Sequence, residues 1–312
     1  MIDEGGPRMP THYLTELDLD ARENLELIAQ AATLKSARAA GNRRLHDLDG
    51  RHVALYFEKP SVRTRTSFTI GVRELGGDVV ELSGANTKVG KGEEVEDFAM
   101  VIGRYVDLLV ARVYAQETLE RMAARSAVPV VNALSDSRHP CQALADWLTI
   151  IERRGNPDRL KVAFVGEGNN VAASLGLLGA QLGAEVRVAA PPGYGLPAEV
   201  LAAAASLPGA LIPFSDPAAA VAGADVVYTD TWISMGQEAE AEARREAFRG
   251  YRVDAALLAG AAPGAFVLHC LPAVRDEEIT AEVMYGPASA IWDQAENRLH
   301  VQKALLRRLL SS

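Results

Sequence analysis

Phe57-Glu58-Lys59-Pro60-Ser61-Val62-Arg63-Thr64-Arg65-Thr66-Ser67-Phe68 reads as a strand that stops at a proline and continues into a helix. Pro60 has no N–H for a strand ladder, and Ser61 is a natural N-cap for a helix predicted over 61–75. The first N–H groups of a helix lack intrahelical partners and the dipole is positive there. Ser61, Arg63 and Thr64 therefore form a ready phosphate cradle, to which arginine adds a planar bidentate donor. The plainer reading of the same residues is a capped helix with solvated arginines.

On either side of this junction, short apolar runs alternate with helical patterns. Val53 to Phe57, Val79 to Leu82, Leu108 to Val113 and Val128 to Val131 read as strands, with a further helix near Glu93 to Tyr105. This is the rhythm of a parallel sheet. Upstream, Asp20 with Glu23 predicts a capping box opening a helix that carries Leu25, Ile28 and Ala32 on one face and ends near Gly41. Downstream, Cys141 to Arg153 is amphipathic through Leu144, Leu148 and Ile151, and the turn Gly155-Asn156-Pro157 follows.

The rhythm then restarts with Val162 to Val165, a helix over Asn169 to Leu182, Val186 to Ala189, Val226 to Thr229 and Phe266 to Cys270. Ala202 to Ala205 fits a packed helix, and a closing helix, Gln294 to Leu310, follows the short run Ala290 to Trp292. The expected fold is α/β: two open parallel-sheet domains, 1–145 and 146–293, with 294–312 packing back on the first. Ligands belong in the cleft between the two sets of strand ends.

A length of 312 residues suits about two domains of roughly 100 to 200 residues each, and 48% hydrophobic content fills two cores. The net charge of −9 and the absence of a Lys/Arg run argue against nucleic acid or an anionic membrane as partner. Cys141 and Cys270 do not form a disulfide framework, which suits a reducing cytoplasm. Met1 to Thr11 lacks a signal-peptide core, and no stretch approaches the roughly 18 uninterrupted apolar residues of a spanning helix.

Other chemistry-bearing residues also stand at strand ends. Arg112 closes an apolar run, a poor place for a charge without an anionic partner. His139-Pro140-Cys141-Gln142 is expected in a loop, where an imidazole and a carboxamide meet a ligand carbonyl. Asp230-Thr231-Trp232-Ile233-Ser234-Met235-Gly236 follows a strand; Asp230 either recognises an ammonium group or caps the next helix. In His269-Cys270-Leu271-Pro272 the thiol is either a packed small hydrophobe or a functional polar group.

Taken together, Ser61 to Thr64, His139 to Gln142, Asp230 to Gly236 with its Ser-Met-Gly, His269 to Pro272 and Glu296-Asn297-Arg298 resemble the ornithine carbamoyltransferases, in order and over nearly the whole chain. The resemblance implies that Ser61, Val62, Arg63, Thr64, Arg112, His139, Pro140, Cys141, Gln142, Cys270, Leu271 and Arg298 bind carbamoyl phosphate. It further implies that Asn170, Asp230, Ser234 and Met235 bind L-ornithine, that the Leu271-Pro272 bond is cis, and that the chain forms a homotrimer or a multiple of trimers. Arg63, Arg112, His139, Asp230 and Cys270 are then the expected catalytic residues, and neither metal nor redox cofactor is needed. Putrescine and acylated ornithines remain alternative acceptors.

Two segments depart from the pattern. Lys88 stands where the ornithine enzymes usually carry Gln, so Lys88 or Lys91 either reaches a neighbouring subunit's phosphate, as in the aspartate branch, or is a solvated loop tip; Val274, where many relatives have His, is expected to be peripheral. Gly166-Glu167-Gly168-Asn169-Asn170-Val171 begins like a dinucleotide fingerprint but has Val171 at the third glycine position, and no acid follows the next strand. His139, Cys141, His269 and Cys270 lack zinc spacing.

Overall fold

Ser61 caps a helix as expected, its Oγ accepting the Thr64 N–H at 3.3 Å. The computed structural model describes residues 12–84, 87, 89–90, 92–234 and 236–310. The expectations for Met1 to Thr11, Lys88, Lys91 and Met235 lie outside these residues.

The first lobe runs through α1 (Ala21–Ala39), β1 (His52–Phe57), α2 (Val62–Glu74), β2 (Asp78–Ser83), α3 (Val95–Ile102), β3 (Leu108–Arg112), α4 (Gln116–Arg125), β4 (Val130–Leu134) and α5 (Pro140–Arg154). The second contains β5 (Lys161–Val165), α6 (Asn170–Gln181), β6 (Glu185–Ala189), α7 (Ala198–Ala204), β7 (Ala210–Phe214), α8 (Pro217–Val221) and β8 (Val226–Thr229). It continues with α9 (Ala241–Ala247), α10 (Ala255–Leu258), β9 (Phe266–His269) and α11 (Ala281–Tyr285), before α12 (Ile291–Leu310) closes the described chain. No helix among the described residues is long and apolar enough to cross a membrane.

The strands form two parallel sheets, of order β2-β1-β3-β4 and β7-β6-β5-β8-β9. Where strand order reverses in such a sheet, the loops leaving the carboxyl ends diverge and open a crevice. In the first sheet that point lies between β1 and β3, where Phe57 pairs with Arg112. In the second it lies between β5 and β8, where Val165 pairs with Thr229. The chain topology thus delivers Ser61, Arg112, Asn169 and Asp230 to two crevices.

Helix α12 packs against α1, α2 and α5, so the end of the chain lies on the first lobe. Fully buried Lys303 is paired with Glu74 at 2.9 Å, and Arg308 with Glu23. Trp147 on α5 bonds the Leu175 carbonyl on α6 at 3.1 Å, at the seam between the lobes. Gly179 makes that seam close: a Cβ there would lie 2.4 Å from the Trp147 ring and 2.6 Å from Val186. Gly179→Ala is expected to destabilise the protein by about 1–3 kcal/mol, the usual range for overpacking, as read by denaturant unfolding. A stability equal to the parent's would mean that the seam is loosely packed.

Several local expectations are corrected. His139-Pro140-Cys141-Gln142 is not a loop: His139 is the N-cap of α5, and Pro140 takes the first helical position, where its missing N–H costs no bond. The Asp20–Glu23 capping box forms, but α1 buries Leu27, Ile28, Ala31 and Leu34 while Leu25 is 38% exposed. The inward stripe is set by where α5 and α12 lie against α1. The run Ala290 to Trp292 leads directly into α12, which begins at Ile291. Val274 is exposed.

Candidate active site

Three arginines converge on the first crevice from three elements. Arg63 sits in the first turn of α2, Arg112 ends β3, and Arg298 arrives from α12. Arg298 Nη2 donates to Thr64 Oγ1 at 2.8 Å, and the same oxygen accepts from Ser61 Oγ at 3.0 Å. No ion pair to a described carboxylate holds any of the three, and the buried Nε atoms of Arg112 and Arg298 have no partner among the described residues. Burial, then the charges of Arg298 and Arg63, pull Arg112 down to about 10. Burial first, with Arg63 adding to it, also lowers Arg298. Arg63 is exposed, but Arg112 and Arg298 are buried together, and like charges desolvated without a paired carboxylate are costly unless an anion is to be bound there.

His139 belongs to this cluster. Burial, then Arg298 and Arg112, hold its imidazole well below the ordinary histidine range, so it is neutral at pH 7, and its Nδ1 has no partner among the described residues. Its backbone N–H donates to Ser174 Oγ on α6 at 2.9 Å, tying the residue to the second lobe. Gln142, in the first turn of α5, differs from expectation. Its Nε2 is taken by Asp146 at 2.8 Å, so the atom left over is Oε1, which suits an N–H group rather than a ligand carbonyl. Pro140 and Cys141 are buried behind this turn; the Cys141 thiol points to the Asn132 carbonyl at 3.4 Å and burial pushes it up to about 12. The Val62 side chain is 81% exposed, which leaves only its backbone N–H to face a ligand.

The second crevice carries the opposite sign. Asp230, 7% exposed after β8, caps no helix. Its Oδ1 accepts from the Cys270 thiol at 3.0 Å and the Thr231 N–H at 2.8 Å, while Oδ2 accepts from Asn169 Nδ2 at 2.9 Å. Burial and then Asp230 push the Cys270 thiol well above its usual range, so it stays an S–H donor at neutral pH. Asn169 was not anticipated: its oxygen caps α6 and its amide nitrogen holds Asp230. The expected Asn170 instead reaches the Ser135 carbonyl of the first lobe at 2.6 Å. Ser234 is half-buried with its N–H on Gln237, and Leu271, joined to Pro272 by a cis bond, donates its N–H to His269 Nδ1.

Ligating atoms of Asp230, His269 and Cys270 lie within 4.8 Å of one another, which invites a test for metal. Both His269 ring nitrogens are engaged, Nδ1 by Leu271 and Nε2 by Glu278 at 3.0 Å, and the Cys270 thiol is engaged by Asp230 Oδ1 at 3.0 Å. The triplet therefore does not fit a metal ion. What the arrangement can do is hold an anion on the α2 side and a cationic or amine group on the Asp230 side.

Comparison with known proteins agrees with this division. Residues 11–152 match the family described as aspartate/ornithine carbamoyltransferase, carbamoyl-P binding domain, and residues 158–309 match its Asp/Orn binding domain. The chain is 51% identical to the ornithine carbamoyltransferase of Acidothermus cellulolyticus, over 97% of this chain and 98% of the relative. Among solved structures it is similar to the ornithine carbamoyltransferase of Pyrococcus furiosus, with 44% identity, a TM-score of 0.92 and 97% of each chain covered. It is also similar to the anabolic ornithine carbamoyltransferase of Campylobacter jejuni, with 38% identity, a TM-score of 0.89, and 96% and 98% covered.

Proposed function

Because this chain belongs to the aspartate/ornithine carbamoyltransferase family, we propose that the arginine cluster receives carbamoyl phosphate and that Asp230 and Cys270 present the amine of ornithine to it. The enzyme transfers the carbamoyl group from carbamoyl phosphate to the side-chain amine of L-ornithine, giving L-citrulline and phosphate. The observation that supports this reading of the site is three arginines with no described carboxylate paired to them, facing a buried acid on the other lobe. An acid there suits an amine acceptor better than a dicarboxylate, and the lobe's buried arginine, Arg244, is already held by Glu167 and Glu240.

In the reaction the amine nitrogen attacks the carbamoyl carbon, a C–N bond forms, and the C–O bond to phosphate breaks. Arg63, Thr64, Arg112 and neutral His139 stand where they polarise the carbamoyl oxygen and hold the oxyanion, while the start of α2 steadies the departing phosphate. Much of the remaining acceleration is alignment of two bound substrates. The amine, with a free pKa of about 10.4, must lose its proton first. Asp230 anchors the nitrogen, and the Cys270 S–H fixes Asp230 rather than acting as a thiolate base.

Cys270→Ala is accordingly expected to slow turnover about tenfold, the loss of one hydrogen bond to a charged group. Between pH 7 and 9, kcat/KM for ornithine should rise about tenfold per unit in parent and variant alike, because the substrate amine titrates there and the thiol does not. A limb that vanishes in the variant would show that the thiol is the titrating base.

We further assign 1–145 with 294–312 to the carbamoyl-phosphate lobe and 146–293 to the ornithine lobe, the boundary falling within α5, which bridges the two, and propose a cytoplasmic homotrimer serving arginine biosynthesis. Support for the anabolic direction is the likeness to the Campylobacter enzyme. A panel of ornithine, putrescine, an acylated ornithine and aspartate at fixed carbamoyl phosphate, read by ureido product, tests the acceptor. Ornithine should lead, and a leading aspartate would overturn the acceptor assignment.

A further inference from the structure

Asp146 lies on α5 one turn beyond Gln142, fully buried. Its Oδ1 accepts from Gln142 Nε2 at 2.8 Å, Gln294 Nε2 at 2.6 Å and Tyr228 OH at 3.3 Å. Gln294 completes the network with its own Oε1, which accepts the His269 N–H at 2.9 Å. The carboxylate thus joins α5, β8, α12 and the strand end that leads into Cys270. Nothing in the expected chemistry used this residue.

The consequence lies in the orientation of one amide. Burial raises the Asp146 carboxyl to about 7, but Oδ1 is the acceptor of all three bonds whether or not Oδ2 carries a proton, so Gln142 turns its nitrogen to Asp146 and leaves Oε1 free. That oxygen is buried and has no partner among the described residues. Gln142 shares the first turn of α5 with His139, whose carbonyl accepts the Gln142 N–H at 3.0 Å, and His139 feels the charges of Arg298 and Arg112, which are donors to an incoming anion. Gln142 Oε1 is thus an acceptor among donors, suited to a ligand N–H. Carbamoyl phosphate carries an NH2 where acetyl phosphate carries a methyl group, and a site built around a hydrogen bond rejects the analogue that lacks the partner.

We propose that Asp146 is a positioning residue that locks the Gln142 carboxamide with its oxygen toward the carbamoyl nitrogen, and so sets the preference for carbamoyl over acetyl phosphate. This rests on the carbamoyl-phosphate reading of the site. Asp146 Oδ2 has no hydrogen-bond partner, so asparagine can place its NH2 there and keep the oxygen that Gln142 and Gln294 require.

The test compares the whole protein with Asp146→Asn and Asp146→Leu, measuring Kd for carbamoyl phosphate and the competitive Ki of acetyl phosphate. In Asp146→Leu the carbamoyl phosphate Kd should rise about tenfold, one hydrogen bond's worth, while the acetyl phosphate Ki stays within about twofold. Asp146→Asn should keep the parental ratio. If the leucine variant does not fold, Asp146→Ser, whose hydroxyl stops short of Gln142, should show the same loss of selectivity. A parallel fall in both affinities, or an unchanged ratio in the leucine or serine variant, would overturn the proposal. A parent that binds both phosphates equally would instead overturn the carbamoyl-phosphate reading on which it stands.

Discussion

Arg112→Met is expected to lower citrulline formation by about 100- to 1000-fold and at the same time to raise the unfolding temperature of the ligand-free protein. Both effects come from one feature of the structure. Arg112 is nearly buried at the end of β3, with Arg63 and Arg298 close enough to depress its pKa and no acid bonded to it. Methionine fills much of the same volume without bringing a like charge into the cluster. Removing the guanidinium also removes a donor that the proposed mechanism aims at the developing oxyanion. Steady-state citrulline production and thermal unfolding without ligand check the two halves. A variant that is both slow and less stable would mean that Arg112 is part of the structural framework and not a group held under strain for binding.

The second large effect is expected at Asp230. Asp230→Asn keeps the shape and one acceptor oxygen but withdraws the charge that faces the amine. The KM for ornithine is predicted to rise about 100-fold or more, in line with the 3–5 kcal/mol typical of breaking a buried charge pair. Carbamoyl phosphate binding, measured calorimetrically without ornithine, should change by less than about twofold, because Asp230 lies in the other lobe. Equal damage to both substrates would show that the variant distorts the cleft, and intact ornithine kinetics would remove Asp230 from acceptor recognition.

These two sites differ in how much of them the chain discloses. The strand that stops at Pro60, the Ser61 cap and the arginines beside it are local features, so the capped helix start, and with it the proposed anion cradle, is readable from a dozen consecutive residues. Arg112 is conspicuous because a charge ends an apolar strand. Arg298 and the two crevices follow only from the resemblance and from topology, since α12 crosses back over more than two hundred residues to reach Thr64.

What stayed hidden has particular causes. Helix α4 begins after Ala115 with no capping side chain, and its sequence Gln-Glu-Thr-Leu-Glu-Arg-Met-Ala-Ala-Arg buries only Leu119, Met122 and Ala123. Strand β7 lies at a sheet edge with Pro213 in it, a residue that argues against a strand unless the strand is an edge. Asn169 and Asn170 are neighbours at a cap; which of them reaches Asp230 is decided by the turn that starts α6. Asp146 looks in sequence like one polar residue in an amphipathic helix. Its role appears only when Tyr228 and Gln294 arrive from elsewhere in the chain to share its oxygen.

The central claim is that one dianion is held by the start of α2 together with Arg112, Arg298 and His139, while the facing lobe presents the nucleophilic nitrogen. A crystal structure with phosphonoacetyl coupled to the δ-nitrogen of ornithine tests it most directly. The phosphonate oxygens should lie within hydrogen-bond distance of Arg63, Thr64 and Arg112, with the ornithine part beside Asp230. A phosphonate bound away from these residues, or an ornithine part turned away from Asp230, would contradict the account.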